Sequence, residues 1–384
     1  MTNVRDIFYN HFKLKADIAV QSPGRINLIG EHTDYNNGFV LPAAINKTVQ
    51  VAIAKRTDHT IQMFAVDLNE VETVSTDSLQ PHAKQWVNYI IGVVAQLPKS
   101  TVAAGFSICV QGDIPIGAGL SSSAAVECAV IFALNELYQL GLYKDKMALM
   151  AQAAEHAFAG VKCGIMDMFA SLFGKKDQVI LLDCAYLTYQ YYPLDLKEYE
   201  IVLFDTQIKH ALASSEYNTR RLECEQGVRI LQQTYPAIQS LRDASVAQIE
   251  ECLQANEALE GTKVFNRCKY VVAEIERVQT AVIDLQLGNL KIFGEKMFAT
   301  HEGLSKLYEV SCPELDLLVN LVASNENVIG ARMMGGGFGG CTINIIKKTA
   351  VAEITASVRE SYLSATGKFL QTYQVSTEEG THLL

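Results

Sequence analysis

The chain has 384 residues, 49% of them hydrophobic and 19% charged, with a formal net charge of −10. That length exceeds what one core sustains and suits two domains. The acidic balance leaves no basic excess to neutralise a nucleic-acid backbone or an anionic membrane surface, although a few local cations and backbone N–H groups suffice for a small anion.

The opening "MTNVRDIFYNHFKLK" has no apolar core, so no signal peptide is expected. No run of about 20 apolar residues predicts a membrane span. The nine cysteines are odd in number, form no CxxC and sit in apolar runs such as "FSICV" and "VECAV". They read as small buried hydrophobes in a reducing compartment rather than a disulfide framework. The expectation is a cytoplasmic protein with no nucleic-acid or membrane partner.

Residues 18–22 predict a short strand, with Ser22 held extended by the proline that follows. Residues 22–42, "SPGRINLIGEHTDYNNGFVLP", then pack Arg25, Glu31, His32 and Asp34 among three glycines. Singly, these charges read as a surface ion pair, a satisfied imidazole and a turn-shaping aspartate. Their joint density fits a hydroxyl-rich ligand, since carboxylates and imidazoles give directional hydrogen bonds to sugars. Strands follow over 39–56 and 61–75, rich in Val and Ile. A helix is predicted over 86–97. Its Trp86 and Tyr89 share one face and are expected in the core, the alternative being stacking near a planar ligand.

Residues 105–140 form the clearest unit: a strand to about Val110, a glycine loop at Gly117–Ser121, and a helix over 122–140. The loop is either a turn with a serine N-cap or a phosphate cradle. Glycines let backbone approach a ligand, and the helix start offers free N–H groups and a positive dipole end. It is not a Walker A loop, because no Gly-Lys-Ser/Thr follows. A second helix over 144–160 closes at Gly160 and carries Glu155. Asp167 lies in the apolar stretch 160–174, in a helix or its first turn. It is a cap, a core hydrogen bond or a functional carboxylate.

Beyond about residue 185 the texture changes. Helices are predicted over 216–234, 247–260, 263–287 and 289–308, with strands over 199–206, 328–347 and near the C-terminus. Within "GARMMGGGFGGC" five glycines occupy six positions. That is poor for a sheet unless the backbone meets a ligand or another loop, the alternative being a flexible hairpin.

These segments resemble a known family. "GRINLIGEHTDYNNGFVLP" resembles the N-terminal signature of galactokinases. "PIGAGLSSSAA" and "RMMGGGFGGC" resemble the second and third motifs of the GHMP kinase superfamily. "CGIMD" and "SSEYNTRR" also resemble galactokinase segments. The resemblance implies an α+β two-domain GHMP kinase fold. An N-terminal α/β domain with a mixed sheet would cover residues 1–185, and a C-terminal ferredoxin-like α+β domain 186–384, with the site in the cleft between them. It implies ATP-dependent phosphorylation of the anomeric hydroxyl of galactose by a monomer that uses Mg2+. By residue, it implies that Asp167 and Arg25 are catalytic and that Glu31, His32, Thr33, Asp34 and Tyr217 hold the sugar. Gly117, Ala118, Gly119, Leu120, Ser121, Ser122 and Ser123 would cradle the nucleotide phosphates, and Ser123 and Glu155 would bind the metal. Where many galactokinases carry Gln after "CGIMD", Met168 stands here. If it touches the sugar pocket, preference shifts. The stretch 266–278 matches only loosely. The alternatives are a kinase for another hexose, such as N-acetylgalactosamine, and a galactose sensor. "EHTDY" with "NNGFVLP" favours galactose, and the intact Arg25, Asp167 and "GLSSSAA" count against a sensor.

Overall fold

The β-branched segments of the first half assemble into a six-stranded sheet. In the computed structural model, which describes residues 3–98, 104–208, 213–254 and 259–384, its strand order is His382–Leu383, Ile18–Asn27, Pro42–Lys55, Phe106–Gly112, Thr60–Ala65 and Glu70–Ser75. Neighbours are antiparallel except for the parallel pair Thr60–Ala65 and Phe106–Gly112, so the sheet is mixed, as expected. Side chains alternate across it with the strand period of two. Val20, Val51, Ile53 and Ile108 join the main core, while Ala19, Ala52, Ala54 and Cys109 meet Val4 and Phe8 of the N-terminal helix Val4–Phe12. That helix was not anticipated; its one clear signal is Asn3, whose side chain accepts from the Arg5 N–H as an N-cap.

The predicted strand at 18–22 runs on to Asn27. It passes through Pro23 by a register shift between Pro23 and Arg25. A bulge of this kind tolerates proline and re-aims the next side chains. Here the re-aimed side chain is Arg25. Helices Gln85–Ala95, Ser122–Tyr138, Lys144–Ala154 and Met166–Phe173 pack with the other face of this sheet in the main core.

A second, antiparallel sheet has the order Val328–Met333, Cys341–Lys347, Tyr199–Asp205, Gln371–Val375, and packs with helices Pro313–Ala323 and Val351–Thr366. Neither helix was anticipated, though Pro313 at the first turn is a start signal. Helices Ala213–Thr234, Val246–Leu253 and Leu259–Leu287 build a further core. The last residues of the predicted 247–260 helix, 255–258, lie outside the described residues. A three-stranded sheet joins Phe39–Val40 to the hairpin Gln178–Asp183 and Thr188–Pro193, and residue 185 falls in that hairpin's turn. The chain end returns to the first sheet, where Thr377 bridges Ile45 and His382 pairs with Gln21. Among the described residues no helix is long and apolar enough to cross a membrane.

Candidate active site

One cleft of about 250 Å³ gathers the end of the bulged strand, the Glu31–Asp34 loop, the Gly117–Ser121 loop, the start of helix Met166–Phe173, Tyr217 and the glycine turn after Met333. Arg25 is buried and reaches across it. Its Nε donates to Asp167 Oδ1 at 2.7 Å, and Nη1 donates to the Gly119 carbonyl at 2.5 Å. Burial alone would lower the Arg25 pKa, but the Asp167, Glu31 and Asp34 carboxylates hold it above its usual value. The other Asp167 oxygen accepts from Ser121 Oγ at 2.6 Å. On one of the two readings of this loop, the serine would cap the following helix. Instead it sits in the left-handed region, at φ 58°, makes no side-chain cap and turns its hydroxyl to the aspartate.

The sugar-signature loop forms the opposite wall. Glu31 is 1% exposed, and its Oε1 accepts from both Arg332 Nη atoms at 3.1 Å and from Gly335 N at 2.8 Å. His32 is also left-handed, at φ 64°. Its Nδ1 meets Tyr35 Oη at 2.8 Å, Tyr35 Oη meets Tyr308 Oη at 2.7 Å, and Tyr308 Oη meets Cys224 Sγ at 3.2 Å. Nε2 has no partner among the described residues. Burial, aided by the Arg220 charge, pushes the His32 pKa down to about 3, so the ring is neutral. Asp34 lines the cleft. Burial and then the nearby Asp167 charge push its pKa up to about 7, against the opposing hydrogen bond from Tyr35 N at 2.9 Å. Gly164 is required beside it, because a Cβ there would lie 1.8 Å from Asp34 Oδ2. Tyr217 closes this wall, its ring centroid 5.2 Å from that of His32. Thr33, expected among the sugar contacts, is fully buried. It donates to the Gly30 and Phe39 carbonyls at 2.9 and 2.7 Å, inside the loop, and does not line the cleft.

Gly119 and Ser121 line the cleft, Ser122 lines the adjoining groove, and Ala118 and Leu120 are buried behind the loop. Gly117 stands at positive φ at the loop's start. The second glycine cluster meets another loop, one of the outcomes foreseen for it. A Cβ on Gly335 would lie 3.3 Å from the Gly119 carbonyl oxygen, so the two glycine turns lie against each other.

Ser123 Oγ donates to Glu155 Oε2 at 3.3 Å. Burial pushes the Glu155 pKa up to about 7. Behind it stands Glu127, fully buried, its carboxyl against that of Glu155. Burial first, then Glu155, pushes Glu127 well above the carboxylate range. Among the described residues no three His, Cys, Asp or Glu side chains cluster to hold a metal by themselves. The oxygen-only pair Ser123 and Glu155, with the buried Glu127 carboxyl behind it, fits a hard cation that takes its remaining ligands from phosphate and water.

Beyond the glycine loop an apolar groove of about 540 Å³ opens, lined by Trp86, Tyr89, Ile114, Ile116, Ser122 and Val126 among others. Trp86 and Tyr89 are half-buried: both line this groove, and Trp86 also packs against the main core, so the core expectation holds only in part. Helix Gln85–Ala95 buries Val87, Ile91 and Val94, and the aromatic pair stands on its remaining face. Trp86 Nε1 is held by Glu70 Oε2 at 2.9 Å. Met168 is 0% exposed and packs in the core, whereas its neighbour Met166 lines the cleft. The Gln-to-Met departure thus does not touch the pocket. Sequence reading missed Arg332, Tyr35 and Tyr308 as site supports. For Arg332 the signal was an arginine inside an apolar strand.

Three family models match the chain in order. They are a galactokinase galactose-binding signature over residues 6–55, the N-terminal domain of GHMP kinases over 88–175 and the GHMP kinase C-terminal model over 281–363. A galactokinase from Roseiflexus sp. (strain RS-1) is 39% identical over 378 residues, covering 98% of this chain and 95% of the relative. One from Thermotoga maritima is 41% identical over 364 residues, covering 94% and 99%. The crystal structure of Lactococcus lactis galactokinase complexed with galactose matches with a TM-score of 0.93 at 32% identity, covering 99% of this chain and 98% of that one. A mevalonate kinase structure, at a TM-score of 0.62 and 18% identity, shares the fold.

Proposed function

The chain belongs to the galactokinases of the GHMP kinase family, and on that footing we propose which of its side chains carry the reaction. The reaction itself is ATP-dependent phosphorylation of galactose at its anomeric hydroxyl, giving galactose 1-phosphate, the entry step of galactose catabolism. The observation that carries the assignment is the Arg25–Asp167 pair, which stands between the sugar-signature wall and the glycine loop.

Galactose sits in the cleft against Glu31, Asp34, His32 and Tyr217. The carboxylates accept from its hydroxyls. The neutral His32 ring offers Nε2, which lacks a protein partner among the described residues. The anomeric hydroxyl points to Asp167. Its oxygen bonds to the γ-phosphorus as the bond from that phosphorus to the β–γ bridging oxygen breaks, and ADP carries away the leaving oxygen's charge. Asp167 orients the hydroxyl and receives its proton. In a loose transition state the proton leaves late, so orientation matters more than basicity. Arg25 neutralises charge spreading over the transferring phosphoryl oxygens. Gly119 and Ser121, with the start of helix Ser122–Tyr138, present backbone N–H groups to the phosphates.

Ser123 and Glu155 would hold Mg2+, which would supply positive charge to offset that of the nucleotide phosphates. The apolar groove with Trp86 and Tyr89 takes the adenine ring, since it is the planar-walled space next to the phosphate loop. Thr33 braces the sugar loop from within. The domain division is proposed near residue 185, with the last residues returning to the first sheet. A monomer is the working unit, because one chain supplies the whole cleft. The nine unpaired cysteines support a cytoplasmic location.

ADP release by the purified protein with ATP and magnesium tests this reading across galactose, glucose, N-acetylgalactosamine and no sugar. Turnover that requires galactose is expected. Tight galactose binding without turnover on any sugar would contradict it.

A further inference from the structure

The loop that grips the sugar lies in the first tenth of the chain, yet its principal supports come from the last third. Arg332, in strand Val328–Met333, is 0% exposed. A guanidinium has five N–H donors, and all five are used. Nε donates to the Leu28 carbonyl at 2.9 Å, and Nη2 to that of Asn27. Nη1 donates to the Met333 carbonyl at 2.6 Å. The remaining donor on each Nη goes to the same atom, Glu31 Oε1, at 3.1 Å. Gly335 N adds a third donor there at 2.8 Å. From helix Leu259–Leu287, Tyr270 Oη donates to the Glu31 backbone carbonyl at 3.1 Å.

This is more than cohesion between two halves of a chain. The carbonyls of Leu28, Asn27 and Met333 would anchor the guanidinium by themselves. Three further donors converge on one carboxylate oxygen and fill its accepting capacity. Glu31 lines the cleft, so the oxygen left for a ligand is Oε2, and its direction is set by what holds Oε1. Two donors from one rigid guanidinium plane and a third from the Gly335 N–H hold Oε1 from fixed directions, which a lone point charge does not. The same Gly335 that donates to Glu31 lies against Gly119 of the phosphate loop. Sugar grip and phosphate cradle therefore share one bracket.

We propose that Arg332, with Tyr270, is a positioning residue that aims Glu31 at one galactose hydroxyl and thereby sets which hydroxyl the enzyme demands. This rests on the reading of Glu31 as a sugar ligand. Neither residue lines the cleft, so the effect is on selectivity rather than on the chemical step.

The test is kcat/KM for galactose and its 2-, 3-, 4- and 6-deoxy analogues, with KM for ATP, in the wild type and in Glu31→Ala, Arg332→Lys and Tyr270→Phe. The wild type should penalise loss of one particular hydroxyl by about tenfold or more, as a site built to hydrogen-bond that group does. Glu31→Ala should flatten that penalty and no other. Arg332→Lys should flatten the same one, with KM for ATP changed by about twofold or less, because lysine keeps the charge but loses the fork. An equal loss on every sugar, or an unchanged profile, overturns the positioning role. A melting curve shows whether the lysine variant folds; if it does not, Tyr270→Phe decides by the same profile, flattening at that hydroxyl supporting the role and an unaltered profile overturning it. If Glu31→Ala itself leaves the profile intact, the sugar assignment fails and the positioning role with it.

Discussion

Arg25 and Asp167, 142 residues apart in sequence, meet at 2.7 Å through Nε and Oδ1 at the floor of the cleft. The guanidinium also holds the Gly119 carbonyl at 2.5 Å, so it ties the carboxylate to the phosphate loop. A cation placed there acts chiefly on charge that develops during transfer. Arg25→Ala should therefore lower kcat by about 10²-fold or more and change KM for galactose far less. Steady-state kinetics decide this. A change confined to KM would demote Arg25 to substrate binding.

Ser121 donates to the second Asp167 oxygen at 2.6 Å from a left-handed backbone. Removing the hydroxyl frees that oxygen without opening the core. Ser121→Ala should fold normally and lose about tenfold in kcat, on the scale of one hydrogen bond to a charged group. Circular dichroism with kinetics checks both halves. Wild-type kcat would mean that the serine does not orient the aspartate.

The Asp34 carboxyl gives a pH signature. Burial first, then the Asp167 charge, raises its pKa from 3.8 to about 7 in the folded chain. A carboxyl whose folded pKa is raised stabilises the fold below its unfolded pKa, and that contribution is lost as pH rises through the folded value. The sugar-free protein should therefore lose stability between pH 4 and about 7 from this group. Asp34→Asn should remove that part of the slope and raise Tm at pH 8 by ~2 °C or more. In the proposed grip galactose hydroxyls would donate to the ionised form, so KM for galactose should rise as pH falls below about 7 in the wild type. Parallel melting curves and KM profiles measure this. An Asn variant with the wild-type stability slope would assign the titration elsewhere.

The chain from His32 through Tyr35 and Tyr308 to Cys224 fixes the imidazole's orientation. Tyr308→Phe breaks it at the middle link. The expected outcome is a several-fold rise in KM for galactose with kcat within about twofold, since buried networks act on geometry before chemistry. Unaltered KM would show that His32 is held well enough by its backbone.

Much of this site is legible along the chain because its parts are local. The phosphate loop, the signature "GEHTD" and the segment "CGIMD" each put special residues at short spacing, and each stands out. The strand and helix periods also place most elements of the first half. What escapes is long-range. Arg332 binds Glu31 301 residues away, and Tyr270 binds its carbonyl 239 residues away. No spacing rule links such pairs. Trp86 and Tyr89 escape for another reason. An aromatic pair on an amphipathic helix looks the same whether that face meets a core or an open groove, and only the fold decides. The helices Pro313–Ala323 and Val351–Thr366 lay in segments read only for their neighbouring strands.

The central claim is that Asp167 serves the transfer and not the grip. The direct measurement is turnover of Asp167→Asn beside its galactose affinity by calorimetry, at one pH and one magnesium concentration. The side chain keeps its shape and loses its charge. Turnover should fall by about 10²-fold or more, the usual contribution of a positioned acid–base group, while galactose binds nearly as well as in the wild type. Near-normal turnover, or a loss of binding large enough to explain the loss of rate, would contradict the account.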